Sequence, residues 1–323
     1  MATINSGNIN GVSPAKRGLP RTALWRMLAV VCTAAFVLAG CHSGDNEDHT
    51  SDTSSNNTHL IRMGFVPGPY RQEFEEGVAP QLKKEGYTIQ YKEFADGIAC
   101  NDALAHGEID ANIMQHPTYL ASTNAQNGTH LQAIVEVPTP PMGLFSQKHP
   151  VPQGADNSSE KRKLTPPQNA RVAVPDTAVN LLRVLRILHR IGWIDYNEQA
   201  KPDSISPRDV TANPYHLQFV QLDASQGPRA LPDVDYAAIQ GNFVISAGLK
   251  LSDALALEQR DPAFINVVVV NQPSLHKPFA KAIIDAYHSP FFKQKIEANP
   301  EFKGYMPPDY FTQSSDDGAS SSH

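Results

Sequence analysis

From Ile61 onward the chain alternates short apolar runs of strand length with stretches of helical periodicity, and this alternation confines it to a layered α/β architecture. Residues 61–66 read as a strand, broken by Pro67-Gly68-Pro69. Residues 70–85 read as a helix, with Phe74, Val78 and Leu82 spaced four apart on one face and Pro80 as a point of kinking. Strands are predicted at 88–94, 110–114, 131–137, 142–146, 171–174, 217–222, 236–239 and 266–270. Helices are predicted at 101–106, 178–191, 277–288 and 290–299. In the second of these, Leu181, Leu182, Leu185 and Leu188 face inward and Gly192 supplies the stop. Residues 149–169, rich in Pro, Ser, Lys and Asn, read as an exposed loop. Four strands end in polar or small residues: Pro67-Gly68-Pro69, Gln115-His116, Pro175-Asp176 and Gln240-Gly241-Asn242. In open α/β sheets ligands collect at the carboxyl ends of strands, so these clusters are the expected lining of a cleft.

The two ends of the chain have a different character. Lys16, Arg17, Arg21 and Arg26 precede the apolar run 28–38 and then Leu38-Ala39-Gly40-Cys41, the order of a secretory signal closed by a lipobox. An apolar stretch this short is a poor membrane span. Residues 1–40 are therefore expected to be removed and Cys41 lipidated, holding the protein on a membrane by ~0.8 kcal/mol per buried methylene of its acyl chains. Residues 41–60 lack large apolar side chains almost throughout and read as a disordered tether, as does the tail 311–323.

Composition narrows the function. The net charge of −6 includes the four leader cations, so the processed chain carries about −10, and no basic stripe suggests nucleic acid as a partner. With Cys32 in the leader and Cys41 lipidated, Cys100 stands alone and no intramolecular disulfide is expected. The twelve histidines show no HxH or HExxH spacing, so neither a metal nor another cofactor is expected. No GxSxG, Walker or GxGxxG pattern points to an enzyme.

Specific motifs then appear in a recognisable order. They begin at Asn101-Asp102-Ala103-Leu104, Gly107-Glu108-Ile109-Asp110-Ala111-Asn112, Gln115-His116 and Tyr119-Leu120. Pro141-Met142-Gly143-Leu144-Phe145-Ser146 and Val172-Ala173-Val174-Pro175 follow, with Asn180 and Arg183 beyond. The series ends with Leu222-Asp223-Ala224, Pro228-Arg229-Ala230-Leu231 and Ala238-Ile239-Gln240-Gly241-Asn242-Phe243. Behind a lipobox, this series closely resembles the NlpA/MetQ family of methionine-binding lipoproteins over roughly residues 61–310. The resemblance implies a periplasmic-binding-protein fold, two α/β lobes joined by crossover strands, with lobe 1 at 61–138 plus 247–310 and lobe 2 at 139–246. It implies a small ligand, methionine or a related amino acid or short peptide, and an ABC permease with its ATPase as partners. It also implies a lipid-anchored position facing the periplasm, with the outer face of the inner membrane favoured over the outer membrane. The alternative is a lipoprotein of the same fold whose ligand site has changed or gone, acting in interaction or adhesion.

The family's site residues transfer position by position. Arg183 matches the ligand-binding arginine, whose planar guanidinium suits an amino-acid carboxylate; from spacing alone it reads as one more surface arginine beside Arg186 and Arg190. Asn180, one turn earlier, matches an asparagine that holds the ligand's polar backbone groups, or it is a first-turn cap. His116 and Tyr119 would enclose the thioether, and Tyr70 is a candidate wall residue. Two positions depart from the family: Gln240 stands where asparagine is usual and contacts the ligand's head group, with Asn242 able to take over, and Met114 stands where phenylalanine is common.

Overall fold

In the computed structural model, residues 59–150 and 164–311 are described. The signal, Cys41, the tether up to residue 58, residues 151–163 of the expected loop and the tail from residue 312 lie outside them. Leu60 pairs with Thr88 and Phe311 packs on Phe292, so the fold reaches past both expected limits.

The strands are β1 (Leu60–Phe65), β2 (Thr88–Glu93), β3 (Ala111–Gln115), β4 (Leu131–Glu136), β5 (Gly143–Phe145), β6 (Arg171–Pro175), β7 (Asp195–Tyr196), β8 (Val210–Ala212), β9 (Gln218–Leu222), β10 (Tyr236–Ile239), β11 (Ala256–Leu257) and β12 (Val267–Asn271). The helices are α1 (Tyr70–Gly77), α2 (Ala79–Lys84), α3 (Gly97–Ala105), α4 (Pro117–Asn127), α5 (Ala178–Arg190), α6 (Gly227–Ala230), α7 (Gly241–Ser246), α8 (Pro278–Tyr287) and α9 (Pro290–Ala298). They build two five-stranded sheets, ordered β2-β1-β3-β12-β4 and β11-β5-β10-β6-β9, while β7 and β8 form a small ribbon. The fold is mixed α/β with two lobes.

The first sheet is parallel through β2, β1 and β3, and β12 runs antiparallel between β3 and β4. Its valine run explains why helices cover both faces. Val268 and Val270 enter one core with Phe74, Leu82, Ile283 and Phe292, while Val267 and Val269 enter the other with Cys100, Leu104 and Leu120. A strand apolar on both sides is stable only between two helical layers. In the second sheet β10, β6 and β9 are parallel and β5 is antiparallel to β10 and β11. The leucine face of α5 (Leu181, Leu182, Leu185, Leu188) packs on one side with Trp193. Ile239, Val244 and Leu231 fill the other.

Several expected boundaries move. The helix of residues 70–85 is two helices: the chain turns at Val78, and Pro80 falls in the first turn of α2, where its missing N–H costs nothing. The helix placed at 101–106 begins at Gly97, because the Asp96 side chain accepts the Ala99 N–H and caps it. The second lobe extends past residue 246. β11 joins its sheet, and Leu255, Ala256 and Phe264 pack in its core, so the return crossover spans 258–266. The outgoing crossover spans 137–142, and the two are stitched together. The Val137 N–H donates to Asn266 O and the Asn266 N–H to Thr139 Oγ1, both at 2.8 Å.

One buried group in the first lobe stands out. Glu73 on α1 is fully buried and neither carboxylate oxygen has a hydrogen-bond partner. Burial holds its carboxyl well above the usual carboxylate range. The folded state thus keeps a proton that the unfolded chain releases, and stability falls as pH rises above the unfolded-state value near ~4.5. Glu73→Gln should therefore unfold at a higher temperature than wild type at pH 8 and close to it at pH 4. A gap of equal size at both pH values would contradict the account.

Candidate ligand-binding cleft

The carboxyl ends of both sheets face a cavity of about 460 Å³ between the lobes. The chain reaches it at each of the four strand-end clusters. Gln115, His116, Asp176, Gln240 and Asn242 line it, and Pro67 meets Asn242 at its edge. All eight side chains nominated for the ligand from sequence line this one cavity: Tyr70, Met114, His116 and Tyr119 from the first lobe, and Asn180, Arg183, Gln240 and Asn242 from the second. Cys41 lies outside the described residues.

Local structure fixes each of them. His116 is the N-cap of α4: its Nδ1 accepts the Tyr119 N–H at 3.1 Å. The ring proton therefore sits on Nε2, which donates across the cleft to Asn180 Oδ1 at 3.3 Å. Edge contacts with Phe264 and Tyr119 complete its surroundings. Burial, and then the positive charge of Arg183, lower the His116 pKa to about 3, so the ring is neutral at ordinary pH.

Asn180 uses its amide to organise the site. Its Oδ1 takes both the His116 ring and Arg183 Nη1 (3.1 Å), while its Nδ2 donates to Thr177 Oγ1 at 3.0 Å, at the start of α5. Arg183 is buried and its side-on edge is already engaged. Nε donates to Glu258 Oε2 at 2.9 Å and Nη2 to Glu258 Oε1 at 2.5 Å. Tyr70 is held by its hydroxyl, which accepts from Asn266 Nδ2 at 2.8 Å on the return crossover.

Gln240 sits at the corner between β10 and α7. Its Oε1 is buried and has no hydrogen-bond partner. Two glycines allow the backbone to close in around it. A Cβ on Gly241 would lie 2.3 Å from Pro140 O, and one on Gly68, whose φ is +146°, would lie 2.7 Å from Asn242 Cβ. Asn242 Nδ2 donates to Pro67 O at 3.1 Å, so this amide links the two lobes.

Three kinds of residue here had no role assigned from sequence, although Gln115 and Asp176 stood among the expected strand-end lining. Gln115 belongs to a buried amide cluster with Asn101 and Asn112, bonded at 2.7–3.2 Å under the cavity floor. Asp96, Asp176 and Asp223 line the cavity with exposed carboxylates. After burial, these three are the charges that raise the Tyr119 hydroxyl pKa, which places them around one point. Glu258 was missed because nothing in the spacing links residue 183 to a residue 75 positions away. Asn112 and Gln115 lie three apart on β3, out of step with strand alternation, and pairing with β12 shifts register between them, so no periodic signal announced the amide cluster.

Chemically the arrangement offers neutral amide donors and acceptors, one paired cation, an acidic rim and an aromatic and thioether wall. That set suits reversible capture of a small polar molecule with an apolar tail.

Comparison with known proteins follows the same line. Residues 61–309 match the family model described as NlpA lipoprotein. The probable D-methionine-binding lipoprotein MetQ of Pasteurella multocida is 31% identical over 274 residues, covering 84% of this chain and 93% of its own. Lipoprotein 28 of Escherichia coli K12 is 29% identical over 265 residues, covering 81% and 89%. A nutrient-binding protein from Burkholderia cenocepacia, solved bound to methionine, superposes with a TM-score of 0.68 at 32% identity, covering 77% of this chain and 99% of its own.

Since His116 is neutral in the fold and titrates near its ordinary value of ~6.5 when unfolded, the unfolded chain binds the extra proton. Stability is therefore lost as pH falls from about 6.5 toward the folded-state value of about 3. Urea unfolding at pH 7 and pH 5 should show a smaller loss on acidification for His116→Gln than for wild type. An unchanged loss would place the ring in water.

Proposed function

Because the chain belongs to the NlpA lipoprotein family, we propose that it is the membrane-anchored substrate-binding lipoprotein of an ABC importer, taking methionine or a closely related small amino acid or short peptide. The observation that carries this reading is the interlobe cavity on which the eight nominated side chains converge, with the buried, unpartnered Gln240 Oε1 beside it. An acceptor stripped of water and left unpaired costs about 1–3 kcal/mol, and an ammonium group donating to it recovers that loss. Relatives named as methionine-binding lipoproteins and a methionine-bound structural neighbour supply the ligand class.

The mechanism is closure without chemistry. Ligand settles against one lobe, with its ammonium toward Gln240 Oε1 and its apolar tail toward Met114, His116 and Tyr119. The other lobe then shuts by rotation about the crossovers at 137–142 and 258–266. The interlobe bonds His116–Asn180 and Asn242–Pro67 belong to the shut form, so ligand that favours that form shifts the population toward it. A permease that recognises the shut form reads occupancy in this way. Lipid on Cys41 would hold the receptor beside the importer, on the periplasmic side of the membrane. Among the described residues no helix is long and apolar enough to cross a membrane.

The first test is thermal unfolding with each of the twenty amino acids and simple dipeptides, because ligand at about a hundredfold over Kd adds ~2.7 kcal/mol of apparent stability. Methionine or a close relative should raise Tm, and Gln240→Ala should weaken the calorimetric affinity about 10- to 100-fold. No shift with any compound would favour an interaction or adhesion role; an unchanged affinity in Gln240→Ala would remove that residue from the site.

A further inference from the structure

The most consequential group near the cleft does not line it. Glu258 lies just past β11, where the return crossover begins, and its side chain is 6% exposed against 5% for Arg183. Its Oε1 takes Arg183 Nη2 and also the Met142 N–H at 2.6 Å, and its Oε2 takes Arg183 Nε. The Glu258 N–H donates in turn to Met142 O at 2.8 Å. One carboxylate therefore fixes the guanidinium of α5 against both crossovers.

The electrostatic consequence follows from the lining. Among the described residues, Arg183 is the only permanent cation on the cavity wall, and Asp96, Asp176 and Asp223 put carboxylates around its rim. Glu258 opposes the Arg183 charge at contact distance, both side chains being screened from solvent, so the cavity feels a reduced cation, still sensed by His116. Nη1 already donates to Asn180 Oδ1. A ligand carboxylate thus meets a partly offset cation inside an acidic rim, whereas a ligand ammonium is attracted by the rim carboxylates.

We propose that Glu258 is a positioning and specificity-determining residue, which holds Arg183 side-on and offsets its charge so that the cleft selects its ligand mainly by the ammonium group. The ligand class then extends from free amino acids to amino compounds with an uncharged carbonyl head, such as amino-acid amides. This inference rests on the reading that an amino acid enters the cleft.

The test is calorimetry of the full purified chain with two probes, methionine and methionine amide. The wild type should bind the amide within about tenfold of methionine. Glu258→Gln keeps the shape and an acceptor for Met142 but leaves the Arg183 charge unopposed, so the ratio should move about fivefold or more in favour of methionine. Glu258→Asp retains the charge and should hold the ratio within about twofold. A wild type that prefers methionine by more than tenfold overturns the proposal. So does a Glu258→Gln protein that loses affinity for both probes by the same factor, the behaviour of a purely structural residue. If that variant does not fold, the wild-type ratio and Glu258→Asp decide. Binding of neither probe would remove the amino-acid reading itself, an outcome distinct from methionine binding with the amide excluded.

Discussion

The geometry of the cleft depends on a buried ion pair at its root. Taking a carboxylate and a guanidinium out of water costs several kcal/mol for each ion, and the cost is recovered only with good geometry and further hydrogen bonds. Arg183 and Glu258 meet both conditions, through a two-pronged contact, the Met142 N–H on the carboxylate and Asn180 on Nη1. The pair ties α5 to both connections between the lobes. Removing one partner strands the other charge, at a cost of about 3–5 kcal/mol. Loss of binding on substituting Arg183 would accordingly mix a lost ligand contact with a damaged hinge.

From that root the site is assembled by the ends of elements. Asn180, one turn before Arg183 on α5, passes the ordering on to His116 across the gap. His116 in turn caps α4 and brings Tyr119 into place. The first lobe's other wall is set by Tyr70, tethered to Asn266 on the return crossover. Apart from Met114 on β3, every nominated side chain thus rests at the cap or in the first two turns of a helix. This leaves the gap between the lobes as the part free to change, with the Gln240 carbonyl as the polar atom still needing a donor.

Much of this was legible in the sequence. The leucine spacing of α5 is a strong periodic signal and residues 267–270 are an unbroken apolar run, and the helix and strand appear where those signals place them. The strand-end clusters pointed to the cleft because the carboxyl edge of a sheet is a general property of α/β topology. The motifs of the family resemblance identified which side chains within those clusters face inward. Short elements were not legible. β11 has two residues and gains its identity only by pairing with β5, so the second lobe appeared to end too early. The break at Val78 was invisible for a related reason: Phe74, Val78 and Leu82 keep their four-residue spacing through it, and all three enter one core. Least visible was Glu258, since a buried partner for an arginine is a fact of tertiary packing that no local pattern encodes.

The central claim is that the interlobe cavity captures an amino-acid head group through Gln240 beside the Arg183–Glu258 pair. A crystal structure of the chain grown with methionine examines it most directly. The account predicts the ligand enclosed between the lobes, its nitrogen within hydrogen-bonding distance of Gln240 Oε1 and its thioether against Met114 and Tyr119. Methionine bound elsewhere, or with its nitrogen turned away from Gln240, would contradict it.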